Sequence, residues 1–143
     1  MRIIIGCDHA GYDMKEKVKQ YLKDKNYNII DVGTASNESV DYPHYGHEIG
    51  KKVAKDKIFR GIAICGSGIG ISIAANKIKG IRAALCTSVE HAEMSRKHND
   101  ANILALGSRM TSKEDVFSII DVWLSTEFEG GRHLDRINMI EYE

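Results

Sequence analysis

The run Gly61-Ile62-Ala63-Ile64-Cys65-Gly66-Ser67-Gly68-Ile69-Gly70 decides the fold. A short apolar segment ends in a cysteine, and glycines follow at alternate positions. The small apolar stretch Ile71-Ser72-Ile73-Ala74-Ala75-Asn76-Lys77 comes next. The pattern reads as a strand, a tight glycine turn and a helix start. Glycines at that spacing allow positive φ and close approach of a ligand. The turn aims several N–H groups and the positive end of a helix at one point, which suits an oxyanion. A cysteine at its mouth would be favoured as the thiolate. Two readings stand at this point: an anion nest with a reactive thiol, or a packing turn with a small buried cysteine. The run is not a Walker A loop, since no Gly-Lys-Ser/Thr ends it. Its G-x-G-x-G spacing also differs from the G-x-G-x-x-G dinucleotide fingerprint.

The same alternation of strand and helix extends in both directions. Residues 2–7 read as a buried β-branched strand, followed by the turn Asp8-His9-Ala10-Gly11. A helix is predicted from Asp13, with Glu16 completing a capping box. Its buried stripe is Met14, Val18, Tyr21 and Leu22. Residues 27–32 form the second predicted strand, ended by Gly33, and 34–42 a polar loop. Pro43 opens the next helix, with Tyr45, Ile49 and Val53 on its inner face to about Lys57. Strand three covers 61–65 and its helix 69–77. Strand four covers 81–86, and Thr87 with Glu90 caps a helix to about His98. Strand five covers 103–106. Thr111 with Glu114 opens the longest amphipathic helix, with Val116, Ile119, Ile120, Trp123 and Leu124 inward. Parallel strands need crossover helices, so five such units predict a three-layer α/β/α sandwich around a five-stranded parallel sheet.

Ligands of such folds sit beyond the carboxyl ends of the strands. Those ends present Asp8 and His9, then Gly33, then Cys65 to Gly70, then Thr87 and Ser88, then Gly107, Ser108 and Arg109. After Glu129-Gly130-Gly131, residues 132–142 read as one more helix with Leu134, Ile137 and Ile140 on one side. No strand follows to receive it. The arm 130–143 either packs on its own domain or crosses to a second subunit in an isologous dimer. Arg132 and Arg136 share a helical face, where they are solvated charge or a fork for a phosphate.

The chain has 143 residues, of which 43% are hydrophobic and 28% charged, and acidic and basic residues cancel at 20 each. Residues 1–143 are therefore expected to form a single soluble domain. A general electrostatic grip on nucleic acid or a membrane surface is not expected. The three cysteines, Cys7, Cys65 and Cys86, form no C-x-x-C pair and fit neither a zinc ribbon nor a disulfide framework. Free thiols, the lack of a signal-peptide pattern and the lack of a long apolar run point to the cytoplasm.

Several motifs together resemble the type B ribose-5-phosphate isomerases of the ribose/galactose isomerase family. They are Gly6-Cys7-Asp8-His9-Ala10-Gly11, Asp41-Tyr42-Pro43, the Cys65–Lys77 run, Gly80-Ile81-Arg82-Ala83, Arg96-Lys97-His98-Asn99-Asp100-Ala101-Asn102, Leu106-Gly107-Ser108-Arg109 and Glu129-Gly130-Gly131-Arg132-His133. The resemblance covers nearly the whole chain in order. It implies a Rossmann-like parallel sheet and a homodimer with sites at the subunit interface. It further implies interconversion of ribose 5-phosphate and ribulose 5-phosphate, in the non-oxidative pentose phosphate pathway, without a metal or organic cofactor. By the same resemblance Cys65 is the base. Ser67, where many members have threonine, moves a proton between substrate oxygens. His98, helped by Asp8, opens the sugar ring, and Asn99 bonds substrate oxygens. The N–H groups of Gly66, Ser67, Gly68, Ile69 and Gly70 hold the enediolate, and Tyr42 lines the sugar site. His9, Arg109, Arg132 and Arg136 hold the phosphate, the last two from the partner subunit. Cys7 and Cys86 are structural. Near relatives act on galactose 6-phosphate or allose 6-phosphate, so a hexose-phosphate isomerase is the alternative within the same class. A non-catalytic sugar-phosphate sensor would lack Cys65, His98 and Asp8. A nucleotide-binding protein would want an acid after strand two, where Gly33 and Thr34 stand.

Overall fold

Short β-branched runs without polar alternation belong in a sheet covered on both faces. The computed structural model, which describes residues 1–142, places them there. The strands are β1 (Arg2–Cys7), β2 (Asn28–Asp31), β3 (Phe59–Cys65), β4 (Ala83–Leu85) and β5 (Ile103–Gly107). All pair in parallel, in the order β2-β1-β3-β5-β4. Helices α1 (Tyr12–Asp24), α2 (Tyr42–Val53), α3 (Ile69–Asn76) and α4 (Val89–Lys97) make the crossovers, α5 (Lys113–Ser125) follows β5, and α6 (Arg132–Ile137) ends the chain. The expected three-layer parallel architecture is therefore observed. Among the described residues, no helix is long and apolar enough to cross a membrane.

Alternate residues of each strand serve opposite layers. Ile3, Ile5 and Cys7 of β1, with Ile62, Ile64, Leu104 and Leu106, pack against Val18 and Leu22 of α1, Ala92 of α4 and Ile119, Ile120 and Trp123 of α5. Ile4, Ala63, Ile103 and Ala105 face Ile49 and Val53 of α2 and Ile71 and Ala75 of α3. Tyr21 and Leu124, expected in the core, are only partly buried at its margin.

Helix starts differ from expectation in a consistent way. No Asp13–Glu16 capping box forms: α1 begins one residue earlier, on Gly11, directly after a 3-10 turn His9–Gly11. Asp8 caps that turn instead, accepting from the Gly11 N–H. Ser88, not Thr87, caps α4 through the His91 N–H, and Ser112, not Thr111, caps α5 through the Asp115 N–H. In both Thr-Ser pairs the second hydroxyl reaches the third N–H of the helix. The final helix stops at Ile137 rather than Tyr142, and residue 143 of the arm lies outside the described residues.

One ionic contact lies inside the first crossover. The Lys15 side chain is buried on α1, and its Nζ donates to both oxygens of Asp31 at 2.9 Å and to the Thr34 carbonyl at 2.5 Å. Burial of Asp31 raises its carboxyl pKa, but hydrogen bonds from Lys19 and Lys15 outweigh that and hold it below the usual carboxylate range. Asp31→Asn leaves the buried ammonium without its counter-charge and is expected to cost about 3 kcal/mol near neutral pH. Because the folded pKa is lowered, the carboxylate's contribution is complete above its unfolded pKa of about 4 and is lost as pH falls through the folded value. Urea melts of both proteins at pH 7 and pH 3 should show the difference shrinking in acid. An equal gap at both pH values would contradict this assignment.

Candidate active site

The sheet order places β1 between β2 and β3, so consecutive connections leave in opposite directions on either side of β1. That is the switch point where open parallel sheets form their crevice. The residues after β1 and β3 meet there. Asp8, His9, Ala10, Tyr42, Cys65, Gly66, Ser67, Gly70, Arg109 and Met110 line a cavity of about 340 Å³. This size suits a small metabolite.

The loop after β3 is held by unusually close backbone packing. Gly68 has φ +79°, and a Cβ there would lie 2.5 Å from Leu85 Cδ1 and 2.8 Å from the Leu106 carbonyl carbon. A Cβ on Gly107 would lie 2.5 Å from the Ser67 oxygen. Without side chains at both positions the loop folds down on the end of β5. There the Ser108 N–H donates to the Cys65 carbonyl and the Arg109 N–H to the Gly66 carbonyl, each at 2.9 Å. Gly70 gives room to a ring rather than to backbone: a Cβ there would meet Tyr42 at 2.6 Å.

This geometry sharpens the expected anion nest. Of the five N–H groups assigned to it, that of Gly68 donates to Cys65 Sγ at 3.2 Å and that of Ile69 to Ser67 Oγ at 3.1 Å. These two serve the site's own side chains, because the turn is too tight for both to point outward. No protein partner takes the N–H of Gly66, Ser67 or Gly70 among the described residues. Cys65 thus lies beside the start of α3 with the Gly68 N–H aimed at its sulfur.

Asp8 is buried, with Oδ1 on the Gly11 N–H at 3.1 Å and, among the described residues, no partner on Oδ2. His9 Nδ1 lies 3.1 Å from the Val40 backbone. Both the Val40 N–H and the Val40 carbonyl are at that distance, and in the tautomer that accepts from the N–H the ring proton sits on Nε2. The Ser108 hydroxyl donates to the Ala10 carbonyl at 2.8 Å and so ties the β5 end to the β1 turn. Sequence alone assigns no role to Ser108 or Met110. Ser108 is visible there only as a strand-end residue, and Met110 carries no chemical signature.

Four expected site residues lie elsewhere. His98 caps the carboxyl end of α4, and with Asn99 it precedes β5, at the opposite end of the sheet from Cys65. Arg132 and Arg136 are exposed on α6. The His98 ring stacks on His133, with centroids 4.3 Å apart and planes 15° apart, and its Nε2 is 3.6 Å from a Glu129 carboxylate oxygen. Burial against that ring, then the charges of His98 and Arg132, hold His133 below the usual imidazole range. Donor atoms of His98, Glu129 and His133 lie within 4.8 Å of one another, close enough to share a divalent cation. One chain therefore gathers Asp8, His9, Tyr42, Cys65, Gly66, Ser67, Gly70 and Arg109, and leaves His98, Asn99, Arg132 and Arg136 outside.

A sequence model of the ribose/galactose isomerase family matches residues 3–140. The chain is 46% identical to ribose-5-phosphate isomerase B of Escherichia coli over 139 residues, covering 97% of this chain and 93% of that protein. The structure superposes on Clostridium thermocellum ribose-5-phosphate isomerase B with a TM-score of 0.94 at 52% identity, covering 98% of this chain and 95% of that one. The Mycoplasma genitalium enzyme, crystallised with bound ribulose-5-phosphate, gives a TM-score of 0.94 at 40% identity, covering 97% and 93%.

The three thiols should differ in reactivity. Burial pushes Cys7 up to about 12, against the opposing pull of Lys15, and Cys86 up to about 11. At pH 8 their thiolate fractions are then about one in 10⁴ and one in 10³. Iodoacetamide at that pH should alkylate Cys65 first, read by peptide mass spectrometry. Labelling of Cys7 or Cys86 at a comparable rate in the folded protein would contradict the assignment.

Proposed function

Because the chain belongs to the ribose/galactose isomerase family, we propose that it interconverts D-ribose 5-phosphate and D-ribulose 5-phosphate in the cytoplasmic pentose phosphate pathway. The observation that carries the proposal is the Cys65 thiol at a strand end, beside unpartnered loop N–H groups, in a cavity also lined by His9 and Arg109. The reaction moves a proton between adjacent carbons and oxidises one as it reduces the other. Cys65 takes the proton from C2 of the open-chain aldose, and the electron pair moves into a C1–C2 enediolate. The same thiol returns the proton to C1, giving the ketose. The N–H groups of Gly66, Ser67 and Gly70 bear on the developing oxyanion, each worth roughly 3–4 kcal/mol if well aimed. Ser67 carries the proton between O1 and O2. Residues 1–143 act as one isomerase domain, with 130–143 as its arm.

His98 and Asp8 open the furanose ring, with Asn99 on the sugar oxygens. A single chain keeps His98 and Asn99 at the far end of the sheet from Cys65, so we assign them, with Arg132 and Arg136, to the partner subunit's site. Exposed Ile69 and Ile73 beside the cavity, and Leu134, Met139 and Ile140 on the tail, supply the apolar surface that a homodimer would cover. His9 and Arg109 hold the phosphate from one side, and the two tail arginines from the other.

The purified protein should isomerise ribose 5-phosphate in the presence of a chelator, with higher kcat/KM than for allose or galactose 6-phosphate. Cys65→Ala should lower kcat by at least a thousandfold and leave sugar-phosphate binding nearly unchanged. Near wild-type turnover by that variant would remove Cys65 as the base.

The shared site has its own test. Cys65→Ala and His98→Ala subunits, each nearly inactive, should regain activity when unfolded together and refolded. Half the random dimers are mixed and each mixed dimer has one intact site, so recovery should approach about a quarter of wild type. No recovery, with dimers confirmed by light scattering, would place Cys65 and His98 in the same subunit's site.

A further inference from the structure

We propose that the amino end of the sheet carries a second anion site, for a small multivalent phosphate-bearing anion, built around Arg60, Arg82, Arg96 and Lys57. These side chains line a cavity of about 350 Å³ together with Asp56, Asp100, Asn102 and neighbouring residues. Arg60 is the second residue of β3 and Cys65 the last. Five residues of strand at about 3.3 Å each separate this cavity from the Cys65 cavity of the same chain by roughly 16 Å.

The charge balance carries the argument. Four cations (Lys57, Arg60, Arg82 and Arg96) against two carboxylates (Asp56 and Asp100) leave an excess of two positive charges. Asp100 is already engaged by Arg96 at 2.8 Å and by Arg82 at 3.6 Å, and Asp56 accepts from the Ile58 N–H. The half-buried Arg60 guanidinium makes no hydrogen bond and no ion pair among the described residues, and its Nη1 is buried without a partner. Its guanidinium lies over the face of Trp123 at 5.6 Å, with Arg96 over the same ring at 6.0 Å, and Asp100 acts on it only through space, with no contact. Burial, and then the charge of Arg96, push the Arg60 pKa down, the signature of a cation short of a counter-ion. A half-buried guanidinium in this state is costly unless paired. A phosphate dianion supplies the matching charge and several acceptors for planar N–H forks. The volume exceeds that of one phosphate and admits a second phosphate or a small organic group.

Trp123 is the chain's single tryptophan and is fully buried with Arg60 and Arg96 over its ring, so its fluorescence senses a change in either guanidinium. Pyrophosphate, orthophosphate and glycerol 1-phosphate are titrated against the wild type, Arg109→Ala, Arg60→Met and Lys57→Glu, with sodium chloride at matched ionic strength as the control. The expected result is a saturable change with at least one phosphate, kept in Arg109→Ala, lost or weakened at least tenfold in Arg60→Met, and weakened several-fold in Lys57→Glu. The three ligands separate free phosphate from phosphate on an organic group. Lys57 is exposed, so its variant tests the site without disturbing the core. No saturable change, a change matched by sodium chloride, a change lost in Arg109→Ala, or one untouched by both Arg60→Met and Lys57→Glu overturns the proposal.

Discussion

The upper end of the molecule depends on one close approach of backbone to backbone. The loop after β3 lies against the last residues of β5 at a distance that leaves no room for a side chain on Gly68 or Gly107. This approach brings the Gly68 N–H to the Cys65 sulfur, places the start of α3, and makes the clasp that puts Arg109 beside Gly66. Tertiary packing, not local preference, sets the geometry: Gly68 at φ +79° is strained for any other residue. A shift of half an ångström here would move the thiol, the free amides and the guanidinium together.

The division of the candidate site is a result of parallel topology. In such a sheet, the loop leaving a strand and the loop entering it lie a strand length apart. Cys65 closes β3, while His98 and Asn99 precede β5. No rearrangement within one chain joins them while the sheet stays intact. The proposed second copy would do so at no topological cost, and would also cover the apolar residues left bare on α3 and the tail.

The fold was largely legible in the sequence because strand and helix periodicities alternate without interruption, and each β-branched run has its own crossover. The grouping of side chains around Cys65 was legible too, since the switch-point crevice is reached by counting strand ends. What escaped was settled by contacts far apart in sequence. A Thr-Ser pair offers two hydroxyls, and only the helix trajectory decides that Ser88 and Ser112 are the caps. Lys15 sits in an amphipathic pattern as if exposed, yet Asp31 and the Thr34 carbonyl draw it inside. The nest's five amides look equivalent as letters, but two are consumed by the sulfur and the hydroxyl they flank. The unpaired Arg60 gives no local signal, since its isolation depends on which carboxylates its neighbours already hold.

The immobility of the glycine loop also bears on how such a protein could change its diet. With Gly68 and Gly107 pressed against backbone, and Gly70 against the Tyr42 ring, the floor of the cavity cannot be lowered by a substitution that keeps the loop in place. A longer sugar would have to be accommodated at the perimeter, where Arg109 and Met110 are exposed. The cavity thus joins a fixed anvil to an adjustable gauge, and it is the gauge that would decide how long a workpiece fits.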